Sequence, residues 1–133
     1  MKYFVAKIKY SEPIPDKDTY KKISKNFLVR AESVTEVETL VQGWWPANWI
    51  DPEVKSVTPS PIEDLIKEGE SETWWQFKVM FENPETAKLE AYHTAANGGT
   101  IEIVLPRVKK ANPMGEIYEI KRLKIELDDD LLK

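Results

Sequence analysis

The chain has 133 residues, of which 41% are apolar and 32% charged; that is long enough to bury a sizeable core and too apolar for disorder along its whole length. It has no Cys, which excludes a disulfide framework, a thiolate metal site and a nucleophilic thiol. A net charge of -4 and a pI near 5.2 argue against a strongly electrostatic, sequence-blind grip on nucleic acid.

From the N-terminus, residues 3 to 10 alternate as a half-buried strand, with Phe4, Ala6, Ile8 and Tyr10 on one side and Tyr3, Val5, Lys7 and Lys9 on the other. Lys2, Lys7 and Lys9 break up any signal-peptide core, and no later run is long and apolar enough to span a bilayer. A cytoplasmic protein without membrane contact is expected. A Pro-rich loop, Ser11 to Asp18, leads to a returning strand around Lys25 to Ala31. Ser33-Val34-Thr35-Glu36 has capping-box spacing, and Val34, Val37, Val41 and Trp44, with Leu40 beside them, give the following helix its apolar stripe until Pro46. A strand at Val54 to Thr58 comes next. Ser60-Pro61-Ile62-Glu63 then predicts a short helix over Pro61 to Glu68, and the polar run Gly69 to Thr73 reads as a joint.

Beyond the joint the order repeats. Trp74-Trp75-Gln76-Phe77-Lys78-Val79-Met80-Phe81 shares the pattern of Tyr3 to Tyr10: an aromatic pair, then Lys, a β-branched residue and a closing aromatic. Asn83-Pro84 is a turn and Lys88 to Thr94 a returning strand. After it, Asn97-Gly98 and the strand formers of Thr100 to Leu105 favour a hairpin, whereas position in the repeat asks for a helix. Ala31 to Val41 aligns without a gap on Ala96 to Pro106, placing Thr35 on Thr100, and this tips the reading towards the helix, with Pro106 distorting it. A final strand over Ile117 to Leu127 runs into the acidic tail Asp128-Asp129-Asp130. The expectation is an α+β fold: one compact domain over 1–133, built of two strand-strand-helix-strand pseudo-repeats (about 1–68 and 73–127) that form antiparallel sheet packed with helices.

Catalytic equipment is sparse. His93 is the single His, no Ser or Cys is set in a nucleophile turn, and no carboxylate pair is pinned to a shared site, so neither catalytic residues nor a metal or cofactor are expected. Asn97 to Thr100 lacks the Lys and the longer spacing of a P-loop. The five Trp are the unusual side chains. Alternation turns Trp75 to the core with Phe77, Val79 and Phe81, and turns Trp74 outward as the counterpart of Tyr3. Trp45 and Trp49 flank Pro46 at a helix end. Trp is enriched in binding hot spots, so Tyr3, Trp45, Trp49 and Trp74 are the candidate partner-binding residues, with a homodimer mate as another way to cover them. Arg107, Lys109, Lys110, Arg122 and Lys124 gather late in the chain and offer a local basic face to single-stranded nucleic acid, the weaker alternative.

The order Lys2-Tyr3-Phe4, Lys7-Ile8-Lys9-Tyr10, Phe27-Leu28-Val29-Arg30-Ala31, Ser33 and Glu36 opening a helix, and a second aromatic-led strand near midchain resembles a family of small uncharacterised proteins. That family is a domain of unknown function found in gut anaerobes and their phages. The resemblance implies a phage or mobile-element accessory protein that binds a host or phage protein in replication or host defence, and it carries over no functional residues.

Overall fold

The alternation of the first strand persists in the computed structural model, which describes residues 2–133: Phe4, Ala6, Ile8 and Tyr10 are buried, while Lys7 and Lys9 are exposed. In chain order the elements are β1 (Lys2–Pro13), β2 (Tyr20–Ala31), α1 (Val34–Trp44), β3 (Ile50–Pro59), β4 (Ile62–Ile66), β5 (Trp74–Glu82), β6 (Leu89–Asn97), α2 (Ile101–Ala111), β7 (Glu116–Arg122) and β8 (Glu126–Leu127). A 3-10 turn, Asp129–Leu131, closes the chain. No helix among the described residues is long and apolar enough to cross a membrane.

The fold is α+β, with two four-stranded sheets ordered β3-β1-β2-β8 and β4-β6-β5-β7. The chain divides into two compact units: residues up to Ser60 together with Lys124–Lys133, and Pro61–Leu123. In the first unit Val37 and Val41 of α1 bury completely against Phe4, Ala6, Ile8, Phe27 and Val29. Each such side chain contributes about 1.5–3 kcal/mol. Val34 and Leu40, expected in the same stripe, stay 43% and 38% exposed because only one narrow face of the helix meets the sheet. In the second unit Val104 and Val108 of α2 play the same part over Phe77, Val79 and Ala96.

The two sheets repeat each other rung by rung. Phe4 stands between Val29 and Pro59, and Trp75 stands between Ala96 and Arg122. The β1–β3 ladder is bulged between Lys7 and Ile8, and the β5–β7 ladder between the corresponding Lys78 and Val79. The N–H of Ser60 donates to the carbonyl of Tyr3 at 2.9 Å, and that of Leu123 to Trp74 at 2.9 Å. Two sequences that share a bulge at the same rung share a backbone plan. The gapless alignment of the helices slips, however: Ser33, not Thr35, matches Thr100, since each is the helix N-cap. Ser33 accepts the expected bond from the Glu36 N–H at 3.2 Å, whereas Thr100 makes no side-chain cap bond.

Two predicted elements change. Residues 62–66 form strand β4 and not a helix, running parallel to β6 through Asp64↔Thr94, Leu65↔Ala95 and Ile66↔Ala96. A helix of so few residues is marginal by itself, and the open edge of β6 supplies hydrogen bonds that it cannot match. The predicted final strand over Ile117 to Leu127 breaks into β7 and β8, which lie in different sheets. β8 runs parallel to β2 through Phe27↔Glu126 and Leu28↔Leu127, the place that β4 holds on β6. Each sheet therefore takes its parallel edge from the chain that follows the other repeat. The acidic tail is also anchored: Asp128 caps the 3-10 turn, and Leu131 is buried in the first core.

Candidate functional site

The first unit ends in a cluster of aromatic rings. Pro46 stops α1, and the chain turns back through Trp49 into β3, so the last helical turn and the loop lie over the far end of β1 and β2. Trp49 stacks on Tyr10 with centroids 3.9 Å apart and an interplanar angle of 5°. Trp44 meets Trp49 edge-on at 5.6 Å and Phe27 edge-on at 5.0 Å. Such pairs add about 0.5–1.5 kcal/mol each beyond burial. The Tyr10 hydroxyl is held above the ordinary tyrosine range by burial, with Lys25 pulling the other way. Trp45, half-buried, packs against the core of the first unit.

Of the four predicted partner-binding residues, Trp45 and Trp49 both pack against the core of the first unit, Trp49 within the ring stack. Tyr3 is half-buried, pairs with Arg30 and lies on the other face of β1. Trp74 is a correction: it points away from Phe77 as expected, yet it is only 7% exposed. Gln76, next on that face, is 6% exposed, so both faces of β5 are covered and the free indole expected from alternation is absent. Tyr10, Phe27 and Trp44 complete the cluster, a meeting that depends on how α1 and its loop pack over β1 and β2 and that residue type alone does not signal.

The five basic residues are spread over several elements. Arg107 is committed internally: Nη1 donates to the Asn97 carbonyl at 2.6 Å and to the Glu68 carbonyl at 3.3 Å, and Nε pairs with the Glu68 carboxylate at 2.9 Å. Lys109 and Lys110 are exposed in the last turn of α2, Arg122 ends β7, and Lys124 falls in the first unit. The Asn97 run serves structure as well. Buried Asn97 accepts from the Glu68 N–H at 2.7 Å and donates to the Ser71 carbonyl at 3.1 Å, fixing the joint before β5. His93 lies 3.4 Å from Gln76 Nε2 through Nδ1, and no metal-ligating cluster occurs among the described residues.

Two clefts mark the corresponding far ends of the sheets. The first, of about 420 Å³, is edged by Lys9, Ser11, Lys22, Ser24, Glu53 and Lys55. The second, of about 670 Å³, is edged by Glu63, Glu82, Glu85 and Glu90 beside Phe81 and Tyr92. The ends of the two copies thus differ in sign.

The chain belongs to the family of the domain of unknown function DUF4494, whose model matches residues 2–126. No curated protein and no solved structure matches it.

Proposed function

We propose that this protein is a non-enzymatic binding module that holds a protein partner on the aromatic end of its first unit, at the close of α1 and the loop to β3. The observation that supports it is that Trp45 and Trp49, both only half-buried, lie on the first core at the end of α1, the helix that also carries exposed Leu40. Leu40 lies one helical turn before Trp44 and extends the apolar surface of that helix end, next to a rigid core. Rigid aromatic anchors bind at low entropic cost, and nothing in the second unit copies them: Ala111 ends α2 where Trp44 ends α1. An accessory role in a phage or mobile element, acting on host or phage machinery inside the cell, belongs to the same proposal and rests on the resemblance.

The test is affinity capture by the tagged full-length chain from cells that make it, read by mass spectrometry, with Leu40→Ser and Trp45→Ala alongside. A protein retained by the parent and reduced at least tenfold by both variants, while their melting temperatures stay within a few degrees, is the expected result. Equal capture by parent and variants overturns the reading.

A further inference from the structure

The far end of the first sheet carries a second feature, on the face opposite the aromatic cluster, that protein docking does not use. In the β1–β2 ladder Lys9 pairs with Ser24 and Ser11 with Lys22. Tyr10 and Ile23, between them, turn to the core, so these four side chains share the outer face. Directly opposed residues stand about 5 Å apart and diagonal ones about 7–8 Å. The result is a checkerboard with two ammonium groups on one diagonal and two hydroxyls on the other. Neither Lys9 nor Lys22 has an ion-pair partner among the described residues, whereas the third lysine of the cleft, Lys55, is bound to Glu53 at 2.9 Å.

The wall on the β3 side is irregular. A second bulge falls between Lys9 and Ser11 in the β1–β3 ladder, and within it Asp51 takes a left-handed backbone, φ 48. The β5–β7 ladder ends at Met80↔Glu116, before the rung that corresponds to Ser11. Left-handed backbone is unfavourable for most residues but open to Asp, and bulges re-aim side chains at the edge of a site. Here they bring a carboxylate to the cleft that holds the two free lysines.

From this geometry we infer that the cleft is a binding site for a small phosphorylated sugar or nucleotide. Lys9 and Lys22 take the phosphoryl charge, Ser11 and Ser24 donate to its oxygens, and Asp51 accepts from ligand hydroxyls. Three lysines against two carboxylates favour an anion, and a bare anion leaves Asp51 with nothing to accept from. The volume, about 420 Å³, is that of a small-molecule pocket. The same positions in the second sheet are Met80, Glu82, Leu89 and Ala91, so the set belongs to one copy only. The inference is independent of the protein-binding proposal, which uses the opposite face.

The experiment is a titration of the isotope-labelled full chain with ribose 5-phosphate, inorganic phosphate, ribose and a short single-stranded oligonucleotide, followed by amide shifts. The expected result is saturable movement of Ser11, Lys22 and Ser24 by ribose 5-phosphate, at least tenfold tighter than by phosphate or ribose. The double variant Lys9→Met, Lys22→Leu carries the side chains of the second sheet, so its ladder is one the fold already accepts. It is expected to weaken binding at least tenfold with an unchanged fold spectrum, while Lys124→Met does not. Equal response to phosphate and ribose 5-phosphate, indifference to the double variant, or tighter binding of the oligonucleotide at these amides overturns the inference.

Discussion

The two units solve one packing problem in opposite ways. On the same rung of the ladder the first unit sets Ala6 against Phe27 and the second sets Phe77 against Thr94, so the large residue changes strand and the layer under the helix keeps its filling. Backbone register is common property here, and side-chain volume has been traded across it. The trade has consequences beyond the core. With Phe27 on β2, the first unit has a ring for Trp44 to meet edge-on; with Thr94 on β6, the second has a hydroxyl that donates to the Asp64 carbonyl of β4 at 3.2 Å. One copy gained an aromatic end, and the other a pinned parallel edge.

The sharpest way to break this comparison is Phe77→Ala, which leaves small residues on both strands. Phe77 is wholly buried, so the cost is expected to be about 3–5 kcal/mol in denaturant unfolding. Adding Thr94→Phe rebuilds the arrangement of the first unit and is expected to restore part of that loss, the remainder reflecting the vanished bond to Asp64. No recovery at all would mean that the two rungs are not interchangeable.

Trp49→Ala removes the ring stacked on Tyr10, and about 2–3 kcal/mol is expected, less than for a fully buried Trp because Trp49 is half-buried. Its second readout is titration of the five tyrosines by phenolate absorbance. Tyr10 ionises above the ordinary value near 10 because of burial, so its contribution to stability is present below that pH and is lost as pH rises through the raised folded value. The late part of the parent's titration is expected to move to lower pH in the variant, as Tyr10 loses its cover. An unchanged titration would place the burial of Tyr10 elsewhere than under Trp49.

How much of this was legible depended on whether the deciding contact was local. Alternation in Tyr3 to Tyr10 and the Ser33–Glu36 cap are local, and both appear in the structure. α2 was legible only through the repeat, since Ile101, Ile103 and Val104 read as strand formers. Ser60-Pro61-Ile62-Glu63 misled for the converse reason: its cap signal is genuine chemistry, but the strand is decided by a partner some 30 residues away, as in Leu65↔Ala95. The candidate site follows the same rule. Trp45 and Trp49 stand out by residue type, whereas the cover over Trp74 and the Lys9–Ser24 checkerboard exist only once strands are paired.

The smallest test addresses the slip in the helix alignment. Gly98 occupies in β6 and the turn after it the place that Ala31 holds at the end of β2, so the second unit lacks a methyl group that the first one buries. A Cβ on Gly98 would lie 2.5 Å from Val104 Cγ1 and 3.3 Å from Ile103 Cγ2, both in the first turn of α2. The Val104 and Ile103 side chains therefore fill the space that a side chain at this position would need, and Gly98 leaves it open. Gly98→Ala is expected to cost about 1–2 kcal/mol by overpacking, with hydrogen exchange accelerated in α2 and not in α1. A neutral substitution would mean that Val104 and Ile103 can give way to the added methyl group, and the difference between the copies at this point would then be one of sequence alone.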